Sequence, residues 1–419
     1  MLAIAAFLAA VVVVAVVSRR FVDGPITPPA LMIIAGGATG LAVGSSGPER
    51  SVLILLAEVT LAIVLFSDAS RVSLTSLRHS SLPGRLLLLG LPLSMLLITS
   101  MAMLTLDLEL GPALLLGAAL SATDAALAGI IVKARSLPRR LRQAINVESG
   151  LNDGLATPIV TISIALMIGE ADDITPQAIG GEILVLIATA ALIGAVIGTL
   201  GGWLLRWGRS HDLVDEIWAQ LATLTVIGLV TTVSIGLEAV TFVAAFVAGL
   251  AFRQQLGDTV DEVSSYTEDT AELLTIGAFF LFGLLLPGIG LGPVRLSDVV
   301  FALFALTIAR MLPVAIAMLG THDAWQTVAM IGWFGPRGLA TALFGLIALE
   351  EAGAAVPPRA ILVLALTVGA SIVAHGATAA PLTRRYAAWA QRRAAATDLP
   401  VDPIHRPGDT DMPIGRVRR

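Results

Sequence analysis

The chain has 419 residues, of which 56% are hydrophobic and only 14% are charged, and its formal net charge is −5. A soluble domain carries about a quarter charged residues. This composition therefore excludes an ordinary soluble protein and is typical of an all-α polytopic membrane protein. The sequence contains no cysteine, which excludes disulfide bonds, thiolate metal sites and cysteine nucleophiles.

Thirteen apolar segments predict membrane-spanning helices. They occupy approximately residues 2–17, 26–44, 51–69, 86–106, 112–133, 144–168, 181–205, 214–235, 239–253, 270–287, 298–319, 325–349 and 360–382. No basic region precedes the first segment, so we expect a retained span rather than a signal peptide. Residues 1–385 then form one membrane domain, and residues 386–419 are expected to be a disordered tail that keeps the protein soluble or binds lipid or a regulator.

Basic residues predict the orientation of these spans. Thirteen Lys and Arg residues fall in one set of alternating connections, whereas three fall in the other set. The positive-inside rule places the richer set in the cytoplasm. We therefore expect an external N-terminus and a cytoplasmic C-terminus, as an odd number of spans requires.

Two predicted spans are interrupted at corresponding places. Residues 121–124 break the fifth span and residues 332–338 break the twelfth, and each is the fifth member of a six-helix unit. The second unit starts on the opposite side, which predicts an inverted repeat. Paired broken helices indicate a transporter site near the middle of the membrane.

Ionisable residues inside the predicted spans are rare. Each costs roughly 2.5–3.5 kcal/mol on insertion scales, so such residues usually have a function. The set comprises Glu58, Asp68, Asp124, Glu148, Asp153, Arg310 and Arg337, with Glu238 and His375 as marginal members. Two carboxylates and a carboxamide fall within residues 148–153, which makes that stretch the best candidate for an ion or proton site.

Asp153 is the leading candidate for the titrating group. It follows Ser149 by four positions, so both side chains project from one face of a helix. Burial disfavours the charged form of a carboxylate, so such a group can exchange a proton for a cation. Carboxylate, hydroxyl and carbonyl oxygens suit a small alkali cation. The alternative is a structural, hydrogen-bonded Asp153 beside a loop.

The remaining polar residues are expected to organise this site. Glu148 and Arg310 need partners in lipid, and a pair between them is the leading hypothesis. Asp124 and Arg337 lie at the breaks, where they would neutralise the dipoles of exposed helix ends. Asn152 would bridge peptide groups without adding charge.

Three other residues have less specific interpretations. Asp68 either pairs with Arg71 or is a further acid on the path of the ion. Glu58 has no evident partner and is expected to pack against a polar neighbour. His375 is expected to be a hydrogen-bonded core histidine rather than a proton relay.

The motifs together resemble the monovalent cation–proton antiporter family, in the branch of NhaP-type and sodium–proton exchangers. The matching pieces are Leu65-Phe66-Ser67-Asp68-Ala69, Ala122-Thr123-Asp124, Glu148-Ser149-Gly150-Leu151-Asn152-Asp153, Ile308-Ala309-Arg310 and Gly335-Pro336-Arg337-Gly338. They follow the family's order across roughly residues 1–385. One position departs, because Ala125 stands where the family usually has proline.

The resemblance implies thirteen helices, with the fifth and twelfth broken and crossed, in a homodimer that works by elevator-like alternating access. It implies that Asp153 binds the cation or the proton, and that Ser149, the Thr123 main chain and Asp68 supply further oxygens for Na⁺. Glu148 would be held by Arg310. An Asn-Asp pair is similar to that of members exchanging one cation for one proton.

The sequence therefore predicts an electroneutral Na⁺/H⁺ antiporter of a cell membrane, acting in pH homeostasis, without a cofactor, nucleic acid or enzymatic reaction. Its partners would be Na⁺, H⁺, Li⁺ or K⁺, and membrane lipid. K⁺/H⁺ exchange remains an alternative, because spacing does not measure cavity size. An intramembrane aspartyl protease using Asp124 and Asp153, and a passive channel, are remote alternatives.

Overall fold

The computed structural model describes residues 2–21, 27–43, 50–71, 81–124, 127, 131, 134, 136–169, 176–289, 292–321 and 323–397. Regular secondary structure within these ranges is helical throughout. The α-helices are α1 Leu2–Phe21, α2 Pro28–Val43, α3 Arg50–Arg71, α4 Ser81–Arg85, α5 Leu91–Leu106, α6 Leu110–Ser121, α7 Arg139–Ile168, α8 Pro176–Ser210, α9 Glu216–Gly236, α10 Thr241–Leu256, α11 Val260–Val263, α12 Ser265–Leu285, α13 Leu296–Leu306, α14 Ile308–Ala317, α15 Trp325–Trp333, α16 Leu339–Glu351 and α17 Pro358–Thr397.

Every predicted span overlaps at least one of these helices, so the prediction of an all-helical polytopic fold is confirmed. Seven described helices or joined helices are long and apolar enough to cross a membrane. Leu2–Val17, Pro28–Val43 and Leu110–Ser121 are shorter apolar helices. Most of residues 125–135, which include Ala125 and the end of the fifth predicted span, lie outside the described residues.

Two spans have local irregularities with identifiable causes. A π-helical turn, Leu86–Gly90, joins α4 to α5 just before Pro92. Proline lacks the N–H of a regular helix and displaces the preceding turn. Thr307 separates α13 from α14, and its hydroxyl donates to the Leu303 carbonyl at 2.6 Å. This kind of side-chain bond to the preceding turn often bends helices.

The last helix differs from the prediction, because α17 continues past residue 385 to Thr397. Tyr386 is buried, and its hydroxyl lies 2.9 Å from the Thr327 hydroxyl of α15. Trp389 packs against the Tyr386 ring. The start of the predicted tail is thus held by aromatic packing that its polar composition did not reveal, and residues 398–419 lie outside the described residues.

Close helix contacts depend on glycine. A Cβ atom at Gly194 of α8 would overlap the carbonyl oxygen of Ala244 on α10, and one at Gly198 would overlap the carbonyl of Ala248. A similar approach joins α2 to α12, where Gly36 faces the Phe280 carbonyl. In lipid, such small residues let helix backbones approach and gain dispersion energy that larger side chains would prevent.

We predict that Gly194→Ala lowers the free energy of unfolding by about 1–3 kcal/mol, because the added methyl group must push α8 away from α10. Thermal unfolding of the purified protein in detergent, followed by tryptophan fluorescence, measures the effect. Gly228→Ala is the matched control, because no atom lies within 4 Å of a Cβ at this helical position. Equal melting temperatures for the two variants would contradict this account of the interface.

Candidate ion-binding site

The two broken helices meet inside the bundle. Helix α6 ends at Ser121, and residues 122–124 continue in a non-helical conformation. Residues 334–338 separate α15 from α16 in the same way. The Asp124 main-chain N–H donates to the Pro336 carbonyl at 2.8 Å, which joins the two breaks directly. The crossing therefore places the end of α6, the end of α15 and the start of α16 near one another.

Asp124 compensates the start of the helix after the second break. Its Oδ2 atom accepts a hydrogen bond from the Leu339 N–H at 2.7 Å, and its Oδ1 atom accepts one from the Leu127 N–H at 3.1 Å. A carboxylate is favourable there because unpaired N–H groups and the helix dipole make an N-terminus positive. A Cβ atom at Gly338 would overlap Asp124 Oδ2, so the glycine permits this approach.

Arg337 compensates the end of the helix before the first break. Its Nη1 atom donates to the carbonyls of Ser121 and Ala122, both at 3.3 Å, and its main-chain N–H donates to Ser371 Oγ at 2.6 Å. The residue is fully buried. A guanidinium at a helix C-terminus offsets the negative end of the dipole, so Asp124 and Arg337 perform opposite tasks across one crossing.

The polar face of α7 lies against the first break. Thr123 Oγ1 is 3.0 Å from Ser149 Oγ, and Asn152 Nδ2 donates to Thr123 Oγ1 at 2.6 Å. All three side chains are buried. The structure thus brings together the hydroxyl and amide groups that the sequence places on separate helices, and Asn152 forms a bridge between α7 and the broken segment.

Asp153 lies next to this group with 6% of its surface exposed. Among the described residues, its Oδ1 atom has no hydrogen-bond partner, and neither has Asn152 Oδ1. The carboxylates of Asp68 and Asp124 repel its negative charge, whereas Arg337 attracts it. Buried oxygens without donors are costly, and a bound proton or cation is the kind of group that would satisfy them.

Glu148 and Arg310 form the ion pair that the sequence suggested as a hypothesis. Arg310 Nη2 donates to Glu148 Oε2 at 2.7 Å and Nη1 donates to Oε1, so the contact is bidentate. Both side chains are at most 2% exposed. The pair links α7 to α14, and a Cβ atom at Gly335 would lie 2.5 Å from Arg310 Nε. The ion pair therefore packs directly beneath the second break.

Asp68 lies near the end of α3 with 19% of its side chain exposed. One of its oxygens is 3.8 Å from Arg71 Nη1, which is the local ion pair that the sequence offered as one alternative. Its charge also acts on Asp153 and Asp124, as the other alternative requires. The two roles are therefore compatible.

The marginal residues have simpler surroundings. The ring nitrogens of His375 lie 2.8 Å from the main-chain oxygens of Ser371 and Trp333. The Nδ1 atom also lies 3.1 Å from the Ser371 hydroxyl, so both ring nitrogens have polar partners inside the bundle. Glu238 lies in the exposed connection between α9 and α10. The side chain of Glu58 lies outside the described residues.

Two polar contacts were not anticipated from the sequence. Asp298 is buried, and Arg359 Nε donates to its Oδ1 at 3.0 Å while Arg359 Nη1 donates to the Leu106 carbonyl at 3.2 Å. Arg71 Nε donates to Glu268 Oε1 at 3.0 Å. These residues lie at helix ends, and sequence alone does not show which charged side chains there bond to other helices.

We predict that Arg310→Met destabilises the protein by roughly 3–5 kcal/mol, because it leaves the Glu148 carboxylate buried without its partner. Glu148→Leu should be comparably harmful. The double variant should recover much of the loss, since a well-packed apolar pair replaces both charges. Thermal unfolding in detergent measures all three. Losses that simply add in the double variant would show that the two residues act independently.

Comparison with known proteins assigns the sequence to a family. Residues 4–385 match the transmembrane sodium/hydrogen exchangers. A K⁺/H⁺ antiporter NhaP2 from Shewanella oneidensis is 26% identical over 74% of this chain and 54% of its own length. A Na⁺/H⁺ antiporter 2 from Zygosaccharomyces rouxii is 27% identical over 54% of this chain and 30% of its own length. The chain thus spans about half the length, or less, of these curated relatives.

Solved structures share the fold. The structure of the sodium proton antiporter MjNhaP1 from Methanocaldococcus jannaschii at pH 8 aligns with a TM-score of 0.73 at 18% identity, covering 90% of this chain and 99% of that one. This likeness supports the same helical architecture. Because the family match covers most of the chain, the resemblance inferred from the motifs is confirmed. The chain belongs to the sodium/hydrogen exchanger family.

Proposed function

We propose that this chain is an electroneutral antiporter that exchanges Na⁺ for H⁺ at Asp153. One observation carries the proposal: the buried Asp153 carboxylate has an oxygen without a hydrogen-bond donor among the described residues, beside the oxygen-rich group of Thr123, Ser149 and Asn152. Oxygen ligands suit a hard monovalent cation, and the same carboxylate can take a proton instead.

Competition for one carboxylate couples the two fluxes. With a proton or a cation bound, the charge of Asp153 is neutralised and the site can pass between its two orientations. The empty, ionised site stays behind because moving a bare charge through a low-dielectric region is unfavourable. Exchange then follows from the two gradients without ATP, since each ligand shifts the same conformational equilibrium.

The partners of the other acids support a stoichiometry of one cation for one proton. Both oxygens of Asp124 accept main-chain N–H bonds, and both oxygens of Glu148 accept from Arg310. Asn152 carries no charge. Among the acids at the crossing of the broken helices, Asp153 is therefore left as the group that changes its proton during the cycle, and one proton balances one monovalent cation.

The same contacts argue against the remote alternative of an aspartyl protease. That chemistry needs two carboxylates that share a proton and act on a water molecule. Asp124 instead uses Oδ2 to hold the start of α16 and Oδ1 to hold the Leu127 main chain. A structural role for Asp124 fits this geometry better than a catalytic one.

Na⁺ is the proposed cation, and K⁺ is the second candidate, because relatives of similar identity are named for each ion. Ser149, the Thr123 main chain and Asp68 are proposed as further oxygen ligands, with Li⁺ as an additional substrate. We also propose a cell-membrane homodimer with an external N-terminus, elevator-like access, and residues 398–419 as a cytoplasmic tail.

We predict that reconstituted protein collapses a preset pH gradient when Na⁺ or Li⁺ is added, and that Asp153→Asn abolishes this exchange. A fluorescent pH probe inside the liposomes reports the gradient, while valinomycin and K⁺ clamp the voltage in the Na⁺ and Li⁺ runs; K⁺ is tested separately without valinomycin. The amide cannot carry a charge or release a proton, so neither flux can proceed. Asp269→Asn on the exposed face of α12 is the matched control and should retain wild-type exchange.

Different outcomes distinguish the alternatives. Collapse by K⁺ alone would keep the mechanism and change the substrate. Exchange that persists in folded Asp153→Asn protein would contradict the proposed site. A rate that changes strongly with the clamped voltage would contradict exchange of one cation for one proton.

A further inference from the structure

Asp68 shares its arginine with a second acid on another helix. Arg71 lies one turn after Asp68 on α3, and its Nη1 atom is 3.8 Å from Asp68 Oδ1. Its Nε atom donates to Glu268 Oε1 on α12 at 3.0 Å. One positive charge therefore lies between two carboxylates, and only the contact with Glu268 has the geometry of a hydrogen bond.

The other acid near Arg71 has a different hydrogen-bond partner. Asp261 also attracts Arg71, but its Oδ1 atom accepts a hydrogen bond from Arg253 at 3.0 Å. Arg71 and Glu268 are 40% and 35% exposed, whereas Arg253 is only 8% exposed. The Arg71–Glu268 contact is thus the more solvent-accessible pair and the one more easily rearranged.

Asp68 is close enough to the candidate site for its charge to matter there. Its carboxylate repels that of Asp153, and its partial exposure contrasts with the burial of Asp153. A cation moving from this end of the bundle to Asp153 would be attracted first to Asp68. An arginine fully paired with Asp68 would cancel that attraction, since guanidinium and cation compete for the same oxygens.

We propose that Glu268 is a positioning residue that holds the Arg71 guanidinium away from Asp68, and so leaves Asp68 available to a cation approaching Asp153. This inference rests on the proposed exchange function, and it adds a control of apparent cation affinity. The control arises because the Arg71 guanidinium and the cation compete for Asp68 at the end of the bundle, outside the crossing of the broken helices.

We predict that Glu268→Gln raises the apparent KM for the transported cation about twofold to fivefold, the range expected for one exposed ion pair, with little change in kcat. The amide keeps the shape of Glu268 but releases Arg71 to pair with Asp68. The Arg71→Gln/Glu268→Gln double variant should restore the wild-type KM. It removes Arg71, which competes with the cation for Asp68, as well as Glu268, which holds Arg71 in place. Initial rates in proteoliposomes at varied cation concentration give both parameters.

Glu272→Gln is the matched control, since it removes the same charge from an exposed position one turn further along α12. It should leave KM unchanged. An equal rise in KM for Glu272→Gln would overturn the inference by showing a general effect of surface charge. An unchanged KM in Glu268→Gln, or no rescue in the double variant, would also overturn it. Failure of the exchange function itself would be seen separately, as inactive wild-type protein.

Discussion

Two helices that stop inside an apolar bundle create the constraint on which this structure depends. Each end exposes unpaired main-chain groups, and those groups cannot be left bare away from water. Asp124 satisfies the start of α16 and Arg337 satisfies the end of α6. The compensating charges come from opposite breaks, so neither broken helix is stable in this form without the other. Each break thus supplies the charge that stabilises a helix end at the other break.

Once the helix ends are satisfied, the remaining charges at the crossing differ in whether they have partners. Glu148 is neutralised by Arg310 through two hydrogen bonds, and this pair supports the second break from below. Asp153 has repulsive carboxylate neighbours and an oxygen without a donor among the described residues. The same buried environment that makes unpaired charges costly at the helix ends makes the ionised form of Asp153 costly, which is the basis of the proposed proton or cation binding. Structure and proposed transport therefore have a common physical origin.

The sequence predicted the helices, both breaks and the residues at the breaks, because apolar length and interrupted spans are local signals. It suggested the Glu148–Arg310 pair as a hypothesis, because neither charge is tolerated alone in lipid. It could not show that Asp124 reaches Leu339, since that contact depends on how the crossing folds. It also could not show that the Arg359 guanidinium bonds to buried Asp298. The boundary at residue 385 missed the packing of Tyr386, because single aromatic residues in a basic stretch give a weak signal.

In the proposed mechanism, proton and cation compete for the Asp153 carboxylate. The most direct measurement adds Na⁺, and separately K⁺, to purified protein in weakly buffered detergent and records proton release with a pH indicator. We predict release of about one proton per chain on saturation with the transported ion, because binding of one ligand must displace the other. The apparent Kd for the cation should also rise as the pH is lowered. Saturable cation binding without proton release, at a Kd independent of pH, would contradict the account.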